Sequence, residues 1–156
     1  MTRIAVFSDT HGNLSGLDAA MRAIEPVDGF LHLGDFSSDA LRIADQLNLP
    51  YHAVRGNCDT KGDFPSELVV HYEKTALLLA HGHQYPQIDS LAYRAEEQHC
   101  AAALFGHTHL PLLSAFGRIL LINPGSLSRP RTSYKPSFCV LSITGAELRV
   151  QMVALD

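Results

Sequence analysis

The feature that most constrains this chain is the alternation, over its first third, of short apolar runs with amphipathic stretches. Residues 4–7 read as a buried strand, and Leu14, Leu17, Met21 and Ile24 follow at helical spacing. Residues 30–33 form a second predicted strand, Ala40, Leu41, Ala44 and Leu47 stripe a second helix, and residues 52–54 make a short third strand. A β-α-β-α-β order of this kind requires parallel pairing through right-handed crossovers.

The second half is richer in strands. After a polar loop at 59–65, residues 68–72 and Thr75–Ala80 form a predicted hairpin about Glu73 and Lys74. Residues 90–100 read as a third helix, with Ser90 or Asp89 as its cap. Residues 104–105 end a strand; 112–115, 118–122, 138–143 and 148–153 follow as strands, with turns at Gly117 and Gly145. An ordinary doubly wound sheet does not have so many hairpins, and two packed mixed sheets with helices outside fit better. With 156 residues, 46% of them apolar, the chain suits one compact domain over 1–156.

Composition excludes several classes of function. The apolar stretches are too short to span a bilayer, and the N-terminus enters a strand without a basic leader, which predicts a cytoplasmic protein with no membrane partner. Cys58, Cys100 and Cys139 have no paired spacing, so reduced thiols are expected rather than a disulfide or a thiolate zinc site. A formal net charge of −4 argues against a long nucleic-acid partner. A homo-oligomer is compatible with all of this.

Polar residues recur at one topological place, the carboxyl end of an apolar run. Asp9 and His11 follow the first, Gly34 and Asp35 the second, and Gly56, Asn57, Cys58 and Asp59 the third. His81, Gly82 and His83 follow Thr75–Ala80, and Gly106, His107 and His109 follow 104–105. Strand carboxyl ends line one crevice in an open parallel sheet, where ligands bind. Five loops would bring Asp9, His11, Asp35, Asn57, His81, His107 and His109 together there. Such nitrogen and oxygen donors suit Mn, Fe, Zn, Co or Ni, and seven are too many for one catalytic ion but fit two. Singly, each motif has an ordinary meaning as a turn, a helix cap or a core histidine; the ordered set is what carries the reading.

That set, Asp9-x-His11, Gly34-Asp35, Gly56-Asn57-x-Asp59, His81 and Gly106-His107-x-His109, resembles the calcineurin-like metallophosphoesterases. The short length, the Cys58 turn and Asn123-Pro124-Gly125-Ser126 are similar to their small prokaryotic, YfcE-type phosphodiesterase branch. The resemblance implies a four-layer α/β/β/α sandwich of two mixed β-sheets flanked by helices. It also implies two divalent ions, by family habit Mn²⁺. Asp9, His11, Asp35 and His109 would hold the first, and Asp35, Asn57, His81 and His107 the second. Asp35, Asn57 and His81 would stand nearest the chemistry, in which a water or hydroxide between the ions attacks a small phosphate ester in line.

Larger members have histidine where this chain has Cys58, and that histidine is thought to protonate the leaving group. A thiol suits that role poorly, so diesters with good leaving groups are expected over monoesters. Cys58 and Asp59 are expected behind the ligands, and His83 and Ser126, like Asn57, as substrate contacts. Arg129, Arg131 and Lys135 read as a solvated basic loop or a wall facing phosphate; Arg55 reads as structural. His32, His52, His71 and His99 lie within predicted elements and are given no chemistry. The competing readings are a phosphomonoesterase, a dinucleoside polyphosphate hydrolase, and a non-catalytic scaffold of the same fold. A nucleophilic-serine hydrolase is poorly supported, since no Gly-x-Ser-x-Gly elbow appears.

Overall fold

The N-terminal apolar run becomes the central strand of a sheet because both its faces find apolar cover. In the computed structural model, which describes residues 1–59, 64–130 and 133–156, the elements follow in the order β1 (Thr2–Phe7), α1 (Leu17–Arg22), β2 (Gly29–His32), α2 (Asp39–Leu47), β3 (Tyr51–Ala53), β4 (Glu67–Tyr72), β5 (Thr75–Ala80), α3 (Ile88–Glu97), β6 (Ala102–Leu104), β7 (Leu112–Phe116), β8 (Ile119–Asn123), β9 (Ser137–Thr144) and β10 (Glu147–Ala154). Most of the polar loop at 59–65, and Arg131, lie outside the described residues.

Two five-stranded mixed sheets result, ordered β10-β9-β1-β2-β3 and β4-β5-β6-β8-β7. In the first, Val6 pairs in parallel with Leu31 and antiparallel with Cys139. In the second, Leu79 pairs with Leu104, and Leu104 with Ile122, all in parallel. Alternate residues of each strand serve different layers, as the two-residue strand period requires. Ile4, Val6, Leu31 and Leu33 meet Leu77, Leu79, Leu104 and Ile122 between the sheets. Their neighbours Ala5, Phe7 and Phe30 pack outward with Leu17, Ala20, Ala40 and Ile43 of α1 and α2. Leu78, Ala80, Ala103 and Leu121 pack outward against Leu91, Ala92 and Ala95 of α3. The layers are therefore α/β/β/α, as expected. Among the described residues no helix is long and apolar enough to cross a membrane.

Three local expectations need correction. The first helix is shorter than its apolar spacing suggested, although the flanking Leu14 and Ile24 still pack on its layer. Leu41 is 52% exposed, and Ile43 fills the buried position instead; Ala40 and Ile43 share a helix face, from which Leu41 is turned by about 100°. The third helix begins at Ile88, after Gln87, and has no side-chain cap bond; Asp89 lies in its first turn, where a carboxylate complements the helix dipole.

Six strands run parallel within their sheets, β1, β2 and β3 in one and β5, β6 and β8 in the other. Their carboxyl-end loops meet at one edge of the sandwich. The amide of Gly106 donates to the His81 carbonyl at 2.8 Å, and that of Asp9 to the Gly34 carbonyl at 3.1 Å.

Candidate metal centre

The loops at this edge have an unusual backbone. Among the described residues nine non-glycine residues have positive φ, and five of them are Asp9, His11, Asp35, His107 and His109. Left-handed backbone is costly for a residue with a Cβ and persists only where the surroundings over-determine it. Its effect here is to turn side chains on alternate residues of a loop toward one point. Two glycines permit the close approach: a Cβ on Gly56 would lie 2.3 Å from Asp35 Oδ1, and one on Gly106 would lie 1.9 Å from Ser8 Oγ.

Asp9 is fully buried at the end of β1. Its Oδ2 accepts from Ser8 Oγ at 2.7 Å and from the His107 amide at 3.0 Å. Its Oδ1 has no hydrogen-bond partner and lies 3.3 Å from His109 Nε2, 3.8 Å from His81 Nε2 and 4.0 Å from His11 Nε2. Asp35 accepts the Cys58 amide on Oδ1 at 3.1 Å, with His81 Nε2 3.3 Å from the same oxygen and His11 Nε2 3.6 Å from Oδ2.

The tautomers follow from the opposite ring nitrogens. His81 Nδ1 donates to the Leu33 carbonyl at 2.8 Å, and His109 Nδ1 donates to the Arg129 carbonyl. A neutral ring with that proton placed turns a lone pair inward at Nε2. Asp9 Oδ1, His11 Nε2 and His81 Nε2 are all buried without a hydrogen-bond partner. A cluster of inward-facing electron pairs is unfavourable without a positive charge among them. Divalent cations fit it. Ligand atoms of Asp9, His11, Asp35 and His109 all lie within 4.8 Å of one another, as do those of Asp35, His81 and His107. The two groups share Asp35.

The electrostatics are consistent with such a site. Burial acts to raise the Asp35 pKa, but His81, the Cys58 amide and His11 outweigh it and hold the carboxyl well below its usual range. Burial acts to lower His81, yet Asp35 and Asp9 raise it overall. Burial and neighbouring imidazoles lower His107, and burial dominates the lowering of His11. Asp35 thus stays ionised, facing His81 and His11.

The other expected residues divide. Asn57 is exposed in the turn after β3. Asp59 binds that turn to the β2 loop, its carboxylate accepting the Gly56 amide at 2.7 Å and the Ser37 amide at 2.8 Å. Cys58 is also exposed; partial desolvation of its sulfur and repulsion by Asp35 push its thiol up. The His83 ring is exposed, 5.6 Å from that of His81 and 6.3 Å from that of His107. Ser126, expected as a substrate contact, is fully buried in this structure, donating to the Asp9 carbonyl at 2.9 Å and accepting the Arg129 amide at 2.7 Å. Lys135 pairs with Asp156 at 2.6 Å. Arg129 contributes a positive field at His11.

One set of residues escaped the sequence reading. His32, given no chemistry there, is fully buried. The Gly34 amide donates to its Nδ1 at 3.2 Å, so its Nε2 carries the proton and donates to Thr10 Oγ1 at 2.9 Å. Thr10 in turn donates to Asp39 at 2.6 Å, and Asp39 also accepts the Gly12 amide and Arg42. This chain joins the loop bearing Asp9 and His11 to the one bearing Asp35. The available signal was a histidine flanked by Leu31 and Leu33 in an apolar run, two residues before Gly34.

Burial drives His32 down to about 4, with Asp39 opposing. The unfolded chain takes up this proton below about 6.5 while the folded one does not, so the contribution is whole above 6.5 and falls as pH drops toward 4. Chelator-treated protein should lose up to roughly 3 kcal/mol from this group across that window. Urea unfolding should show a flatter pH dependence for His32→Gln than for the parent; equal slopes would contradict the assignment.

The comparisons with known proteins agree with this geometry. The calcineurin-like phosphoesterase superfamily domain matches residues 2–146. "Probable metallophosphoesterase YsnB" of Bacillus subtilis is 34% identical over 144 residues, 90% of this chain and 83% of that protein. "Phosphodiesterase YfcE" of Escherichia coli K12 is 29% identical over 168 residues, 90% of this chain and 88% of that protein. A predicted phosphoesterase from Streptococcus pneumoniae superimposes with a TM-score of 0.79 at 31% identity, covering 98% of this chain and 89% of that one. The chain belongs to the calcineurin-like phosphoesterase superfamily.

Proposed function

We propose that the protein hydrolyses phosphodiesters with two divalent cations, Mn²⁺ by preference. Asp9, His11, Asp35 and His109 would hold one, and Asp35, Asn57, His81 and His107 the other. The observation that carries the reading is the convergence of Asp9 Oδ1, His11 Nε2 and His81 Nε2, buried and unpartnered, on the Asp35 carboxylate. When bound, the cations lower the pKa of a water toward neutrality and offset charge on the phosphoryl oxygens.

The chain's own residues do the positioning. The Leu33 and Arg129 carbonyls fix the His81 and His109 rings, so little reorganisation is left for the reaction. Asp9 and Asp35 bring about −2 against about +4, leaving a site suited to a phosphate group. The exposed Asn57 amide adds a neutral donor for a phosphoryl oxygen. The likeness to "Phosphodiesterase YfcE" supports the diester over the monoester, and so does Cys58, a weak acid where leaving-group protonation would be needed.

Protein stripped with chelator should be inactive and should recover with Mn²⁺, hydrolysing bis-p-nitrophenyl phosphate faster than p-nitrophenyl phosphate. Asp35→Ala should reduce the recovered rate by on the order of 10³ or more, since it removes the ligand common to both groups. Full recovery of that variant would overturn the two-cation assignment, and a preference for the monoester would overturn the diester reading. Cys58→His should raise the rate on an alkyl monoester by on the order of 10²; no gain would remove the leaving-group account of Cys58.

A further inference from the structure

Beside His107 lies a hollow of about 220 Å³ whose walls include His83, Tyr85, Ile88, Leu91, Phe105 and His107. It joins the candidate metal centre directly, because His107 and the adjoining Gly106 line both. Its composition is graded. Leu91 and Phe105 are buried, Tyr85 and Ile88 half-buried, and His83 and His107 exposed, so the deep end is apolar and the polar rings stand at the rim.

The walls are set before any ligand arrives. The Tyr85 amide donates to the Gly82 carbonyl at 3.0 Å. Its hydroxyl donates to Glu67 at 2.8 Å, and Glu67 is held from the other side by Arg94 at 2.7 Å. With its hydroxyl committed, Tyr85 offers the hollow a ring. Recognition there rests on shape and apolar contact, for which an aromatic group is the matching chemistry. The volume lies below the ~300–1,000 Å³ of pockets for drug-sized ligands, which leaves room for a single ring system.

We propose that this hollow receives the ester group that stays on phosphorus, and that this group is an uncharged planar ring, aryl or nucleobase. The proposal rests on the phosphodiesterase reading and narrows it to diesters carrying such a ring beside the scissile phosphate. A charged or strongly hydrated ester group would have no partner at the apolar end.

The test compares two diesters with the same leaving group, bis-p-nitrophenyl phosphate and methyl p-nitrophenyl phosphate, using Mn²⁺-loaded protein. The parent should favour the diaryl ester in kcat/KM, and Ile88→Trp, which fills the hollow, should reduce that ratio by about tenfold or more. Pro86→Trp, on the exposed wall, is a second plug should the first variant fail to fold. An unchanged ratio in a folded plug variant, with both esters still hydrolysed, would overturn the hollow's role and leave the phosphodiesterase reading standing. Hydrolysis of neither ester by the parent would overturn that reading and this proposal with it.

Discussion

The site depends on a buried carboxylate whose two oxygens have unequal surroundings. Asp9 Oδ2 is saturated by Ser8 and the His107 amide, while Oδ1 is left bare among three imidazole Nε2 atoms. Leaving such an atom without a partner is unfavourable by an amount comparable to a lost charged hydrogen bond, ~1–3 kcal/mol or more. The folded chain accepts this because the same residue is clamped elsewhere: its carbonyl takes hydrogen bonds from Ser126 and Ser128. The arrangement gives the site its affinity for positive charge.

The sandwich supplies that arrangement by topology. Parallel strands of two sheets end at one edge, so loops far apart in sequence arrive together, as the His107 amide on Asp9 illustrates across 98 residues. The sheets need only ordinary apolar packing to form. Among the positive-φ positions, Asp9, His11 and Asp35 sit in loops that Ser126, Asp39 and Asp59 bind at the Asp9 carbonyl and the Gly12 and Ser37 amides. Core and site thus have separate requirements, and a hollow lined by Phe105 and Tyr85 adjoins the centre without disturbing either.

Much of this was legible in the sequence. Apolar runs of strand length announced β1, β2 and β5, and a glycine beside an Asp or His marked the loops that turn toward the site, because close approach leaves no room for a Cβ at Gly56 or Gly106. The family resemblance rested on those same residues. What was hidden depends on three-dimensional phase. Leu41 and Ile43 are equally apolar, and only the packing of α2 on its sheet decides which is covered. His32 looks like any strand histidine until Thr10 and Gly34 close on its two nitrogens. Ser126 gave a turn signature, but nothing local could tell that its hydroxyl faces the Asp9 carbonyl rather than solvent.

On the proposed reading, Asp35 stands between two cations. A crystal structure of Mn²⁺-loaded protein, with anomalous data collected at the manganese edge, tests it most directly. Two peaks on either side of the Asp35 carboxylate, roughly 3.5–4 Å apart, are expected. A single peak, or peaks away from Asp9, His11, His81, His107 and His109, would contradict it.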